Sequence, residues 1–254
     1  PTLRSSDLTF SPILTSLGIN NGGATALIGI ATSLLGTLGA LLAITDLTRD
    51  TLDEKGRFRT AYYILIFPTA FFLSAVYSEG LFLGLILSCF AMLKRKKFLV
   101  AGFLAMLATW TRATGALLII PFIVSWVQNF GWSALWSRRQ WLQPDLILQT
   151  IIILAPVIAY LIWRIAFGEK FEIVEDQFFN YSLFTPQRSI AGWVNAVTTI
   201  ISGSNSATRI YYLMEFASVG LVLISSIGIF RRYTGIALFS LFAIMISSIA
   251  TAPQ

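Results

Sequence analysis

The sequence lacks histidine altogether and contains a single cysteine, Cys89, within an apolar run. A chain with one thiol and no imidazole excludes internal disulfides and any metal site or catalytic dyad built from histidine or paired cysteines. Acid–base chemistry would therefore fall to Asp, Glu, Tyr or Lys side chains. The sequence also has no glycine-rich phosphate loop and no dinucleotide-binding motif. We predict that the protein binds no cofactor, and the sequence leaves a metal-ion requirement open.

Charged residues are scarce too. They make up 12% of the 254 residues, while apolar residues make up 56%, and soluble domains carry about 25% charged residues. Mean hydropathy is +0.76, so we predict an integral membrane protein. The net charge of +6 would suit a nucleic-acid partner, but the basic residues fall in short turns between apolar runs. That placement is typical of membrane orientation, and we predict no nucleic-acid partner.

The apolar runs predict an all-α, polytopic membrane protein with about eight crossing segments. The predicted segments are 24–46, 60–77, 78–93, 98–112, 114–128, 146–167, 210–230 and 234–251. The loops 47–59, 94–97, 129–145 and 231–232 contain four, four, two and two Lys or Arg residues. These loops share one side if every segment crosses the bilayer, and the positive-inside rule makes that side cytoplasmic.

The chain ends and one long connection stand apart from this pattern. Residues 1–8 resemble a translated adapter, so we expect a non-native leader followed by one membrane domain, 9–254, that is incomplete at both termini. Residues 168–209 form a polar and aromatic stretch on the predicted extracytoplasmic side. Loops of this length are usually functional or disordered. The aromatic residues favour an amphipathic element lying on the membrane.

Two ionisable residues, Glu79 and Arg112, lie in otherwise apolar sequence on either side of the basic turn 94–97. Placing such a charged side chain in the bilayer costs several kcal/mol of free energy unless it is paired, faces a cavity or reaches an interface. Glu79 either caps the following helix or serves as a substrate contact or catalytic carboxylate at the mouth of a cavity. Arg112 either binds a phosphate or sugar, reaches the interface, or pairs with Glu79. Phosphate binding and pairing are compatible, and the sequence leaves all these roles open.

Four other polar residues are weaker candidates. Tyr77 and Ser78 are placed to hydrogen-bond a sugar hydroxyl, although Tyr77 also fits an interfacial aromatic belt. Gln177 and Arg188 lie in the long external stretch, where a solvated polar face is the plainer interpretation. The basic turn 94–97 is typical of a topological anchor, and it also suits contact with anionic lipids.

Several stretches together carry a resemblance to a known family. The first set is Phe67-Pro-Thr-Ala-Phe-Phe-Leu-Ser-Ala-Val-Tyr-Ser-Glu79, Ala101-Gly102 after the basic turn, and Thr111-Arg-Ala-Thr-Gly115. The looser set is Asp53-Glu-Lys55, Phe167-Gly-Glu-Lys-Phe171, Asp176-Gln177 and Gly192-Trp193. With these stretches the chain resembles, over residues 10–254, the PIG-V-like mannosyltransferases, which include GPI mannosyltransferase II and bacterial relatives.

The resemblance implies a GT-C-type glycosyltransferase that inverts the anomeric carbon. Its donor would be a polyprenyl- or dolichyl-phosphate sugar, with mannose expected, and its acceptor a glycolipid or glycan at the extracytoplasmic face. Glu79 and Arg112 match the family's motif residues and would play supporting catalytic roles, and Gln177 is carried over as a substrate contact. The family's general base lies in an external loop before the first segment of this chain, so we expect this chain alone to be inactive. The membrane would be a bacterial plasma membrane, or the endoplasmic reticulum of a eukaryote.

Other functions remain open from the residues alone. A secondary transporter or lipid-linked-sugar flippase would also have short, broken helices and intramembrane charges. Such a transporter should contain an inverted repeat, which this sequence does not display. A surface-glycan polymerase or ligase shares the polytopic design, and a purely structural membrane subunit is the remaining alternative.

Overall fold

A computed structural model of the chain describes residues 21–67, 70–132, 144–179, 186–202 and 205–250. These residues form α-helices, 3₁₀ helices and turns, and no β-strand occurs among them, which confirms the all-α prediction. The α-helices are α1 Asn21–Leu47, α2 Glu54–Ile66, α3 Glu79–Lys94, α4 Phe98–Thr111, α5 Ile119–Phe130, α6 Pro144–Ile153, α7 Ala155–Phe179, α8 Pro186–Ser202, α9 Ser206–Ile229 and α10 Thr234–Ala250. The 3₁₀ helices are Ala70–Leu73 and Ala113–Leu118.

Four helical stretches are long and apolar enough to cross a membrane. They are Gly23–Leu47, Ala113–Phe130, Leu146–Gly168 and Ser206–Ile229. These stretches are compatible with a membrane protein and coincide with four of the predicted segments. The other four predicted crossings stay predictions, because a crossing helix needs about 20 apolar residues and their helices are shorter.

The region predicted as one segment, 60–77, is not a continuous helix. Helix α2 begins earlier, at Glu54, because the Asp53 carboxylate accepts a hydrogen bond from the Gly56 N–H at 2.9 Å and caps the helix. It ends at Ile66, and Phe67 has extended backbone angles (φ −61°, ψ 140°). A residue before proline avoids the helical conformation, which explains why α2 ends before Phe67.

The long stretch 168–209 is largely helical where it is described. Helix α7 continues to Phe179, and α8 occupies Pro186–Ser202. Gly192 and Ala196 of α8 are buried, whereas Ile190 is exposed. The helix therefore has two distinct faces, and its position on a membrane stays a prediction.

The chain divides into two compact units, Pro1–Ile119 with Asn129–Tyr160 and Ile120–Gln128 with Leu161–Gln254. In the second unit, α9 packs against both α8 and α10. Trp193 of α8 meets Phe216 of α9 edge-on, with ring centroids 5.0 Å apart. Arg209 Nε donates to the Ile200 carbonyl at 2.9 Å and ties the start of α9 to the end of α8.

In the first unit, α1 and α3 approach each other through small residues. A Cβ added to Gly36 of α1 would lie 2.5 Å from Leu81 N, and one added to Gly80 of α3 would lie 2.6 Å from Thr37 Oγ1. A Cβ added to Gly84 would collide with the Gly36 carbonyl group. These contacts leave no room for a side chain, so the crossing of the two helices depends on glycine.

Two hydroxyl groups of α1 fix the segment that leads into α3. Ser33 Oγ and Thr37 Oγ1 each donate to the Leu73 carbonyl at 2.9 Å. Leu73 ends the first 3₁₀ helix, and its carbonyl thereby gains partners within an apolar setting. The segment 74–78 consequently starts from a fixed point on α1 and delivers Glu79 to the helix crossing.

Candidate functional site

Helices α3 and α4 form an antiparallel hairpin closed by the basic turn 94–97, whose first residue ends α3. The first residue of α3 and the last residue of α4 therefore lie at the same end, away from the turn. Glu79 is that first residue of α3, and Arg112 directly follows the last residue of α4. The hairpin brings together the two ionisable residues that the sequence singled out.

Glu79 and Arg112 form an ion pair. Arg112 Nη2 donates to Glu79 Oε1 at 2.8 Å. The Arg112 side chain is 44% exposed and that of Glu79 is 27% exposed. Ion pairs this accessible contribute only about 0.2–1 kcal/mol. The pair thus does little to explain stability, and its partial exposure leaves the guanidinium open to a further partner.

The backbone around Arg112 explains the motif Thr111-Arg-Ala-Thr-Gly115. Arg112 leaves the helix with extended angles (φ −149°, ψ 134°), while its N–H still donates to the Ala108 carbonyl at 2.9 Å. Its own carbonyl accepts the Gly115 N–H at 2.8 Å. A Cβ on Gly115 would lie 2.5 Å from Thr109 N. Glycine at this position lets the chain fold back onto α4, and this fold aims Arg112 at the start of α3.

The Glu79 carboxylate is only half satisfied. Oε1 accepts the bond from Arg112, whereas Oε2 is buried and has no hydrogen-bond partner among the described residues. Glu79 also lies in the first turn of α3, where the helix dipole favours a negative charge. Ser78, the N-cap residue, makes no side-chain capping bond. Both structural roles considered for Glu79, helix end and ion pair, are therefore present, and Oε2 remains able to accept another donor.

Aromatic rings lie beside the ion pair. The Arg112 guanidinium carbon is 5.8 Å from the centre of the Phe82 ring, within the range of a cation–π contact. Tyr77 packs edge-on against Phe72 at 5.2 Å between ring centroids and is itself 56% exposed. Small-molecule sites commonly combine aromatic side chains with a few polar groups.

The remaining predicted site residues are only partly placed. Tyr77 and Ser78 directly precede Glu79 and so lie at the same end of the hairpin. Gln177 lies in α7 and Arg188 in α8, but the side chains of both fall outside the described part of the structure. Among the described residues, no group of three or more His, Cys, Asp or Glu side chains could hold a metal ion.

Sequence reasoning missed the residues that position Glu79. Gly80-Leu-Phe-Leu-Gly84 is a GxxxG motif within an apolar helix, a pattern that predicts close helix packing. Gly36 supplies the facing surface on α1. The signal was available in α3, but the sequence does not show which helix faces it.

Comparisons with known proteins identified no relative of this chain. No family model, no curated protein and no solved structure matches this chain.

Proposed function

We propose that the protein is an inverting GT-C-type glycosyltransferase. It would move a sugar, with mannose expected, from a polyprenyl- or dolichyl-phosphate donor to a glycolipid or glycan acceptor. The observation that carries the proposal is the partly exposed ion pair of Glu79 and Arg112, at the end of the α3–α4 hairpin opposite the basic turn. The eight-crossing topology and a bacterial plasma membrane belong to the same proposal.

Arg112 has the chemistry that the departing lipid phosphate requires. The phosphate leaves with its own negative charge, so the reaction needs electrostatic stabilisation more than a proton donor. A guanidinium has five N–H donors, and one bond to Glu79 uses only one of them. In the proposed mechanism, the exposed edge of the Arg112 guanidinium binds the donor phosphate, while Glu79 accepts a hydrogen bond from its other edge.

Glu79 would have two tasks in this mechanism. Its Oε1 orients the guanidinium, and its unpartnered Oε2, buried in this structure, would accept a hydrogen bond from a sugar hydroxyl once the carboxylate turns towards the ligand. A negative charge beside Arg112 also discourages the binding of a phosphate that brings no such hydroxyl. Glu79 therefore lowers the affinity for the bare lipid phosphate product relative to the sugar-bearing donor without preventing its binding to Arg112.

The placement of charge along the hairpin supports an extracytoplasmic site. The basic turn 94–97 lies at one end of α3 and α4, and the ion pair lies at the other. If the turn is cytoplasmic by the positive-inside rule, the ion pair faces the opposite side, where lipid-phosphate sugars act as donors in the proposed reaction.

The test is sugar transfer in membranes of cells that express the full-length gene, because the resemblance expects the general base outside this chain. Labelled mannose on polyprenyl phosphate is supplied, and labelled glycolipid or glycan is measured for the unmodified protein, Arg112→Gln and Arg95→Gln. Arg95 is a matched control because it also pairs with a carboxylate, that of Asp46, at the other end of the hairpin. We expect Arg112→Gln to lower transfer by about 100-fold or more and Arg95→Gln to leave it near the original rate.

Two results would count against the proposal. Full transfer by Arg112→Gln, in protein that is present and folded by size-exclusion chromatography, would remove Arg112 from the site. Movement of labelled lipid or sugar across proteoliposomes without a new glycolipid would indicate a transporter or flippase instead.

A further inference from the structure

We propose that a cleft beside the basic turn binds the headgroup of an anionic phospholipid. The cleft has a volume of about 620 Å³. Its lining includes Lys96, Lys97, Val100, Asn129, Leu148 and Gln149. It lies at the opposite end of the α3–α4 hairpin from Glu79, so this inference is independent of the transferase proposal.

The four residues of the basic turn divide into two pairs. Lys94 Nζ donates to the Leu47 carbonyl and pairs with Asp50, both at 2.8 Å. Arg95 donates two hydrogen bonds to the Asp46 carboxylate, which raises the pKa of its guanidinium and keeps it charged. The first pair therefore fastens the hairpin to the end of α1.

The second pair, Lys96 and Lys97, lines the cleft. Both residues are exposed, and neither forms an ion pair with any side chain that the structure describes. The backbone of the turn fixes their positions: the Lys97 N–H bonds the Met92 carbonyl and the Lys96 N–H bonds the Leu93 carbonyl, each at 2.9 Å. Two positive charges held at the rim of a cleft favour an anionic ligand.

The lining of the cleft also includes two uncharged amide side chains. Asn129 Nδ2 donates to Gln149 Oε1 at 3.3 Å, which joins the end of α5 to α6. The two amides keep further donors and acceptors by their chemistry. A ligand in the cleft would thus meet both ammonium and amide groups, as suits a phosphate carrying a polar alcohol.

The apolar part of the lining favours a lipid over a soluble phosphate. Leu99, Val100 and Leu148 are 65%, 47% and 40% exposed beside the lysines. The cleft also lies at the end of Ala113–Phe130 and the start of Leu146–Gly168, two stretches long enough to cross a membrane. The ends of crossing helices lie at headgroup depth, where basic pockets bind anionic lipids. A soluble phosphate would gain nothing from the exposed aliphatic side chains.

The test compares three ligands on the purified full chain in detergent. Native mass spectrometry measures binding of phosphatidylglycerol, of phosphatidylcholine, and of glycerol phosphate, which has the anionic headgroup without acyl chains. The variant is Lys96→Asn with Lys97→Gln, because asparagine tolerates the left-handed backbone (φ 57°) at position 96. The control is Lys55→Gln with Arg59→Gln, which removes the same charge from exposed positions on α2.

We expect phosphatidylglycerol to bind best and the cleft variant to lose affinity for it by roughly 30-fold, since each of the two lysines near a headgroup contributes about fivefold. The control variant should bind as the unmodified chain does. Equal loss in both variants would overturn the inference in favour of a general charge effect. If glycerol phosphate binds as tightly as phosphatidylglycerol, the ligand of the cleft is a soluble phosphate and not a lipid. If phosphatidylglycerol binds no more tightly than phosphatidylcholine, the cleft is not an anion site.

Discussion

Gly84 of α3 packs directly against the carbonyl group of Gly36 of α1, whose carbon atom would lie 2.9 Å from a Cβ on Gly84. This contact, in the second turn of α3, sets where the start of α3 lies. Glu79 stands five residues before Gly84, so the orientation of the ion pair depends on a crossing that contains no charge.

The first prediction concerns that crossing. Gly36→Ala should lower the free energy of unfolding by about 1–3 kcal/mol, because its methyl group would meet the α3 backbone. Gly39→Ala is the control, since a Cβ at Gly39 meets nothing within 4 Å. Gly39→Ala should raise the free energy of unfolding by up to about 1 kcal/mol, because alanine favours the helical conformation of α1 more than glycine does. Denaturant titration of the detergent-solubilised protein measures both. Similar behaviour of the two variants would mean that α1 and α3 do not cross at Gly36.

The second prediction separates the structural role of the ion pair from its chemical role. In a double-mutant cycle with Glu79→Gln and Arg112→Gln, the coupling free energy should be about 0.2–1 kcal/mol, because both side chains are partly exposed. The charge-swapped variant, Glu79→Arg with Arg112→Glu, should recover that coupling but not sugar transfer. Recovery of transfer by the swap would show that the pair serves the fold alone.

Part of this arrangement follows from the sequence. Glu79 lies 15 residues before Lys94 and Arg112 lies 15 residues after Lys97, so a helical hairpin brings the two residues to one end. The four long apolar stretches follow from hydropathy. These features depend on local composition and on spacing, which a single sequence displays.

Other parts depend on contacts between distant residues. Hydropathy reads 60–77 as one apolar segment, although the Asp53 cap and Pro68 place the helix boundaries elsewhere. The match between Gly36 and Gly84 joins two helices that are separated by many residues. A hydropathy profile describes each residue separately, so it does not show which helix packs against a given glycine.

The third prediction concerns ligand binding at Arg112. Polyprenyl monophosphate should bind the detergent-solubilised chain, and Arg112→Gln should weaken that binding by roughly tenfold or more, because a hydrogen bond to a charged group is lost. Arg112→Lys should recover only part of the affinity, since an ammonium cannot form the bidentate contact of a guanidinium. Photo-crosslinking with a diazirine-bearing polyprenyl phosphate measures the binding.

Two comparisons make that measurement specific. The uncharged polyprenol should compete poorly with the photoprobe, since it lacks the phosphate. Arg95→Gln should crosslink as the unmodified chain does, because Arg95 lies at the other end of the hairpin. Labelling that is insensitive to Arg112 but lost with Arg95→Gln would move the phosphate site to the basic turn.

The last prediction concerns the backbone of the basic turn. Lys96 has a positive φ of 57°, a conformation that costs a non-glycine residue about 1–2 kcal/mol. Lys96→Gly should therefore raise the free energy of unfolding by about 1 kcal/mol, measured by denaturant titration without anionic lipid. Lys97→Gly is the control, because Lys97 has a φ of −89° and glycine there only adds freedom to the unfolded chain. It should destabilise the protein slightly. If both glycine variants destabilise it equally, Lys96 does not have the left-handed conformation.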